Sequence, residues 1–283
     1  MKLLGIVITY FPDFPEIVSN INSYINDIDT LIVWDNTPNQ GNDHHVQKLK
    51  NISPKIIILG NGENVGIGSA LNVAVKRLLE NDYDFLITFD QDSYFKSGML
   101  EKYKEIVLNN SDSTIGVFGV NYTSHDKLAY TNNNDILVVK ECITSGSIYP
   151  KSSFETGLEF DEDLFIDGID FDFCYNIYKQ SGLQTVILTD VVLNHKIGYS
   201  ENNLRGKISD NYSAFRTFYL IKNHIYLWRR YSDVYPIRKK VHLIVKYIGL
   251  RCISILFFEN DKSAKLKSIR KGISQGLSKR IKK

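Results

Sequence analysis

Two kinds of apolar pattern alternate along the first half of the chain. Residues 3–9, 30–34, 55–59 and 85–89 are short continuous apolar runs rich in β-branched residues, the pattern of buried strands. Between them lie stretches with helical spacing: Ile17, Ile21, Tyr24 and Ile25 within residues 16–25, and a second stretch from about Ser69 to Glu80. Strands alternating with helices predict a mostly parallel sheet with right-handed crossovers. The pattern then predicts a helix over 99–108, a strand over 114–120, and a polar loop with an edge strand within 129–139. A strand over 141–149 is broken by Thr144-Ser-Gly-Ser147. A helix over 171–179, a strand over 185–188, a loop holding His195 and an aromatic helix over 215–228 complete the order, with no internal repeat.

The 283 residues are 43% hydrophobic and 23% charged, an ordinary globular composition that suits one large domain with an appendage or two small ones. A net charge of +2 sets up no global field for nucleic acid. The charge is nevertheless uneven, because residues 262–283 hold many Lys and Arg with a single acid, Asp261, at their border. Cys142, Cys174 and Cys252 form no disulfide or zinc spacing, which suits a reducing cytoplasm. The apolar start at Leu3 is too short for a secretory signal and reads as the first strand. No run reaches the ~18 uninterrupted apolar residues of a spanning helix. The Asn-x-Ser/Thr matches at Asn51 and Asn121 therefore carry no weight.

Chemistry gathers where the strands stop. The run 85–89 ends in Asp90-Gln-Asp-Ser93, and open α/β sheets bind ligands at such edges. Two carboxylates two apart can share Mg²⁺ or Mn²⁺ with phosphate oxygens; the same spacing is also ordinary turn chemistry. Asp35 ends the second strand, where it can accept from a base N–H or a ribose hydroxyl. Asp13, in a Pro-flanked loop, reads as solvated. Gly60 to Ser69 is glycine-rich but lacks the dinucleotide fingerprint and the P-loop Lys. It is either a backbone approach to a ligand or a plain strand-to-helix connection.

Further along, Thr144–Ser147 is either a place of close ligand approach or a β-bulge. Asp170 and Asp172 start a helix, as caps favoured by its dipole or as a general base. His195 is either a packed or surface residue, or a metal ligand or phosphate contact. Residues 199–210 are a candidate lid from which Arg205 and Lys207 reach a diphosphate. In the aromatic helix, Arg216 has a planar fork that matches phosphate. Residues 241–258 are apolar but interrupted by Lys246 and Arg251. With the basic tail they read as an interfacial segment on anionic lipid, or as a helix packed on the domain with a solvated basic end.

An ordered set of motifs carries a family likeness: Val7-Ile-Thr-Tyr10, Val33-Trp-Asp-Asn36, Asn64-Val-Gly-Ile-Gly-Ser-Ala-Leu-Asn72, Thr88-Phe-Asp-Gln-Asp-Ser93, Thr144-Ser-Gly-Ser147, Phe165-Ile-Asp-Gly-Ile-Asp-Phe-Asp172, His195-Lys-Ile-Gly198 and Arg216-Thr-Phe-Tyr219. From Lys2 to about Trp228 the chain resembles family-2 inverting glycosyltransferases of the GT-A fold, in their rhamnosyltransferase-like branch. The resemblance implies an α/β GT-A (Rossmann-like) domain over 1–228 with a mostly parallel sheet; beyond it, 229–283 reads as a helical basic extension that either associates with a membrane or packs on the domain. It implies donor binding at Thr9, Tyr10, Asp35, Asn64, Gly66, Asp90 and Arg216. Asp92 would hold Mg²⁺ or Mn²⁺, with His195 completing the shell, and Asp170 would be the catalytic base, with Asp172 an accessory acid.

Two positions depart from the family pattern. Ile169 stands where many relatives have Glu before the base, as a hydrophobic residue often does in the resembled branch, and the region Tyr175-Asn-Ile-Tyr178 replaces a usual Arg. The implied reaction moves a sugar, with dTDP-rhamnose or a UDP-hexose as donor, to a glycan or lipid-linked saccharide acceptor in the cytoplasm at the membrane's inner face. A sugar-1-phosphate nucleotidyltransferase is the alternative enzyme, but its basic glycine-rich loop is replaced here by Tyr10-Phe-Pro-Asp-Phe14. A non-catalytic nucleotide- or glycan-binding relative is the third reading.

Overall fold

The computed structural model describes residues 1–38, 46–124, 127–131, 134–195 and 212–281. By compactness the chain divides into two units, Met1–Glu162 with Phe173–Ile197, and Asp163–Asp172 with Gly198–Lys283. The expected lid over 199–210, with Arg205 and Lys207, lies outside the described residues.

The first unit is built on one ten-stranded sheet. Its strands are β1 (Leu3–Thr9), β2 (Thr30–Asp35), β3 (Ile56–Leu59), β4 (Phe85–Asp90), β5 (Ser93–Phe95), β6 (Ile115–Ser124), β7 (Lys127–Leu128), β8 (Ile136–Val139), β9 (Ile148–Pro150) and β10 (Gln184–His195). The main order is β3-β2-β1-β4-β9-β6-β10-β5, with β7 on β6 and β8 on β10. The pairings run β1, β2, β3, β4, β6 and β10 in one direction, while the short β5, β7, β8 and β9 run against their neighbours. Three helices follow strands of this unit: α1 (Phe14–Asn22), α2 (Gly66–Glu80) and α3 (Met99–Asn109). The sheet's apolar side chains and Ile17, Ile21, Leu100, Tyr103 and Val107 from α1 and α3 form one buried cluster. A separate aromatic group, Tyr149, Phe154, Phe160 and Phe173, packs in stacked, tilted and edge contacts. Asp13 is exposed yet not merely solvated, because its Oδ1 accepts from Glu16 N at 3.0 Å and caps α1.

Two strand expectations change. The strand read over 185–188 continues to His195, which is therefore the last residue of β10 and not a loop residue. A register shift against β6 between Leu188 and Val192 explains the misreading. This irregularity places Asp190 at the surface, so a polar residue interrupts the apolar pattern without ending the strand. The strand read over 141–149 survives only as β9. Its supposed interruption, 144–147, is a tight turn fastened to β4. There Ser147 N donates to Thr144 O, Gly146 N donates to Thr88 O at 2.7 Å, and Gly146 takes φ 78°, which a side chain would strain.

The second unit is helical. Helix α4 (Ile169–Ser181) starts in it and ends in the first unit. Then come α5 (Ala214–Arg230), α6 (Ile237–His242), a π-helical stretch Leu243–Leu250, α7 (Arg251–Phe258) and α8 (Lys262–Ser278). Residues 237–258 form one continuous helix of 22 residues, apolar and long enough by composition to cross a membrane, although Lys246 and Arg251 interrupt its apolar run. Leu220, Ile221, Ile225, Leu243, Ile255 and Ile269 make the core. Helices α5 and α8 approach closely: a Cβ on Gly276 would stand 2.8 Å from Lys222 O. The aromatic helix α5 thus groups with the C-terminal helices, so compactness divides the chain differently from 1–228 and 229–283. Asn223 Nδ2 is directed at the carbonyls of Leu164, Ile166 and Asp167, each at 2.8 Å, and so fastens the segment before α4 onto α5.

Candidate active site

Parallel pairing aligns the ends of three strands. Thr9 lies opposite Asp35, and Asp90 lies opposite Ile8, so β1, β2 and β4 deliver Thr9, Asp35 and Asp90 to one edge. Thr9 is buried and its hydroxyl donates to Trp34 O. Tyr10 is half exposed, and its N–H donates to Gln91 Oε1 at 2.7 Å. Gln91, the residue between the two acids, also accepts from Asn20 Nδ2 through its carbonyl, tying that loop to α1. Asp35 Oδ1 accepts from Thr37 N at 3.0 Å.

The buried Asn36 joins this edge to the start of α2. Its Oδ1 accepts from Val65 N at 2.9 Å and its Nδ2 donates to Gly66 O at 3.3 Å. Asn64 Oδ1 accepts from Gly66 N at 3.0 Å, so Asn64 and Gly66 form a self-bonded turn at the helix entry. Asn36 was visible in the sequence only as part of a motif; a polar residue directly after a buried strand was its signal.

Asp90, Asp92 and His195 converge. One ligand atom from each lies within 4.8 Å of the other two, and this is the one such cluster among the described residues. His195 reaches it because β10 pairs antiparallel with β5 and sets His195 opposite Ser93. His195 Nδ1 is 3.1 Å from Asp92 Oδ1, and its Nε2 is 3.9 Å from Asp90 Oδ2. Burial works to lower the imidazole's pKa, but Asp92 beside it and the charge on Asp90 together hold it above the ordinary value. Two carboxylates and one imidazole suit Mg²⁺ or Mn²⁺. The buried Asp92 Oδ1 has His195 Nδ1 as its neighbour at 3.1 Å, so two atoms able to hold a cation stand side by side.

Two serines hold the imidazole. Ser93 Oγ lies 2.8 Å from His195 Nδ1, Ser145 Oγ donates to Ser93 Oγ at 2.8 Å, and Asp90 N donates to Ser145 Oγ at 3.0 Å. In the sequence both serines stand only as members of motifs. The signal for Ser145 was its place in a small-residue break, here a turn pinned to β4 beside the acids.

The remaining candidates belong to the second unit. Asp170 lies in the first turn of α4, where its Oδ1 accepts from Phe171 N at 2.9 Å. Asp172 is fully buried; Arg230 Nη1 and the Tyr231 hydroxyl each stand 2.9 Å from its Oδ1. The Arg216 fork engages Asp167, with Nη2 to Oδ1 at 3.1 Å and Nε to Oδ2 at 3.3 Å, and lies over the Tyr212 ring. The ion-pair partners of Asp172 and Arg216 come from distant positions and left no local pattern.

Solved structures share the architecture. GalNAc-T7 with UDP, GalNAc and Mn²⁺ matches with a TM-score of 0.61 at 12% identity, over 99% of this chain and 56% of that one. The mannosyltransferase PcManGT from Pyrobaculum calidifontis with GDP-Man and Mn²⁺ gives 0.60 at 12% identity, over 98% and 84%. S. aureus TarS 1–349 with UDP-GlcNAc gives 0.52 at 14%, over 97% and 91%. The fold is that of GT-A glycosyltransferases, and an acid-rich cation cluster at the strand ends fits a nucleotide-sugar glycosyltransferase. The family model for Glycosyl transferase family 2 matches residues 6–163, more than half of the chain, and the chain belongs to that family. It is also 26% identical to the dTDP-rhamnosyl transferase RfbF of Shigella flexneri over 247 residues, covering 81% of this chain and 80% of that protein. The nucleotidyltransferase and non-catalytic readings are not favoured by these matches.

Proposed function

We propose that this enzyme transfers a rhamnosyl group, with inversion, from dTDP-rhamnose to a hydroxyl of a lipid-linked bacterial surface-glycan intermediate. It would act from the cytoplasmic face of the membrane, with a UDP-hexose as the competing donor. The observation that carries the reading is the Asp90–Asp92–His195 cluster at the C-terminal edge of the parallel strands, in a chain related to a protein named dTDP-rhamnosyl transferase.

In this reading Asp35 and Asp90 take the nucleoside, and Thr9, Tyr10, Asn64 and Gly66 frame it. Asp92 and His195 hold Mn²⁺ or Mg²⁺. When bound, that ion supplies Lewis-acid neutralisation of the departing nucleotide diphosphate. Arg216 exchanges part of its pairing with Asp167 for a diphosphate oxygen. Asp170 takes the proton of the acceptor hydroxyl. The acceptor oxygen then bonds to the anomeric carbon as that carbon's bond to the diphosphate oxygen breaks, through an oxocarbenium-like transition state.

The test is a thermal-shift and hydrolysis screen of nucleotide sugars with and without Mn²⁺, on wild type and Asp92→Ala. Metal-dependent stabilisation by one donor, lost in Asp92→Ala, names the donor. Stabilisation by UDP-hexoses and none by dTDP-rhamnose would replace the rhamnosyl reading. No response to any nucleotide sugar or nucleoside diphosphate would sink it.

A further inference from the structure

The helix over 237–258 turns one cation inward and many large apolar side chains outward, with Arg238, His242 and Lys246 exposed among them. The inward cation is a guanidinium: Arg251 is 7% exposed, with Nη1 2.6 Å from Glu259 Oε1 and Nη2 2.9 Å from Tyr212 O. Lys265 Nζ meets the other oxygen of the same carboxylate at 2.8 Å. Meanwhile Ile237, Val241, Ile244 and Ile253 are exposed, and so are Phe257 and Phe258, at 71% and 67%. In water, burying an ionic pair while leaving large apolar groups wet reverses the usual economy of a surface helix. The arrangement is favourable where the outer medium is itself apolar.

Charge identifies that medium. Residues 1–236 carry 20 Lys and Arg against 30 Asp and Glu, whereas residues 237–283 carry 14 against 2. On α8, Lys267, Arg270 and Lys271 are exposed. A second copy of this chain would set this positive surface against itself, whereas an anionic bilayer neutralises it. We infer that the outer face of 237–258 lies in the headgroup–acyl boundary of an anionic membrane, with the flanking Lys and Arg at headgroup level. The helix lies flat and does not cross, although it is long enough. Its inner side, through Leu243 and Ile255, is part of the core made with α5 and α8, and Arg251 is bonded within the same unit. This inference rests on the membrane location in the proposed function and names the surface and its mode of contact.

The experiment is co-sedimentation of the full-length protein with vesicles of phosphatidylcholine, with or without phosphatidylglycerol. Binding to the anionic vesicles is expected, weakening as salt rises. Phe257→Ser/Phe258→Ser should lower partitioning by at least about tenfold without changing the melting temperature. Lys267→Glu/Arg270→Glu should remove the preference for phosphatidylglycerol. A protein that stays in the supernatant, or a serine variant that binds like wild type, overturns the inference. So does a solution dimer that the serine variant dissolves, and so does resistance to alkaline carbonate extraction, which marks a spanning helix. Donor hydrolysis without vesicles is read in parallel. Turnover without vesicle binding sinks this inference alone, and vesicle binding without any donor response sinks the transfer reading alone.

Discussion

Ser93 Oγ lies 2.8 Å from His195 Nδ1 across the β5–β10 pairing, 102 residues apart in the chain. The contact sets which way the imidazole faces, and Ser145 and the Asp90 backbone extend it to the strand that bears the first acid. An imidazole held at one nitrogen keeps its orientation, which would fix its place in an ion's shell.

Ser93→Ala should therefore weaken Mn²⁺ binding by about 10- to 100-fold, measured by titration calorimetry or by the free-Mn²⁺ resonance. Ser145→Ala acts through Ser93 and should move affinity the same way by less. Unchanged Mn²⁺ affinity in both variants would show that the serines only pack the turn.

Asp170→Asn keeps the size and the acceptor oxygen that Phe171 N uses, and removes the ability to take a proton. Transfer should fall by about 10²- to 10⁴-fold while donor affinity and melting temperature hold. Transfer in Asp170→Asn at the wild-type rate would reassign the residue as a helix cap, since Asn keeps the capping oxygen.

The carboxylate of Asp172 is fully buried against Arg230 and the Tyr231 hydroxyl. Arg230→Met takes the cation from a buried anion and should cost about 3–5 kcal/mol. Tyr231→Phe removes one bond to a charged acceptor and should cost about 1.5–3 kcal/mol. Urea unfolding of the two variants gives the order, and a larger loss for Tyr231→Phe would contradict it.

His224 is lowered to about 3, by burial first and then by the charges of Lys239 and His242. Its Nδ1 lies 2.8 Å from the Tyr235 hydroxyl. The unfolded chain takes up this proton near the ordinary histidine value, before the folded one does. The stabilising contribution is complete above about pH 6.5 and is lost as the pH falls towards 3, by up to about 1.4 kcal/mol per unit. Urea midpoints at about pH 7 and pH 5 should differ more in wild type than in His224→Gln. Equal differences would place the titration elsewhere.

The sequence by itself determined the parallel half of the sheet. Continuous β-branched runs can satisfy themselves only as buried strands, so 3–9, 30–35 and 85–90 were legible, and with them the acids at their ends. It also set Asp90 and Asp92 side by side at a strand end, because their spacing is local. What it could not determine depends on pairing between distant segments. His195 read as a loop residue because the β10 irregularity brings Asp190 into the pattern; only the register with β5 carries it to Asp92. Ser145 became a support for the imidazole only once Gly146 turned its segment back onto β4. Arg251 read as a break in an apolar run until the fold gave it Glu259, which Lys265 also meets, and turned it inward. Local pattern records which residues prefer to be buried. Which polar groups meet, and which apolar faces stay uncovered, follows from where the chain returns, and that is decided by tertiary structure alone.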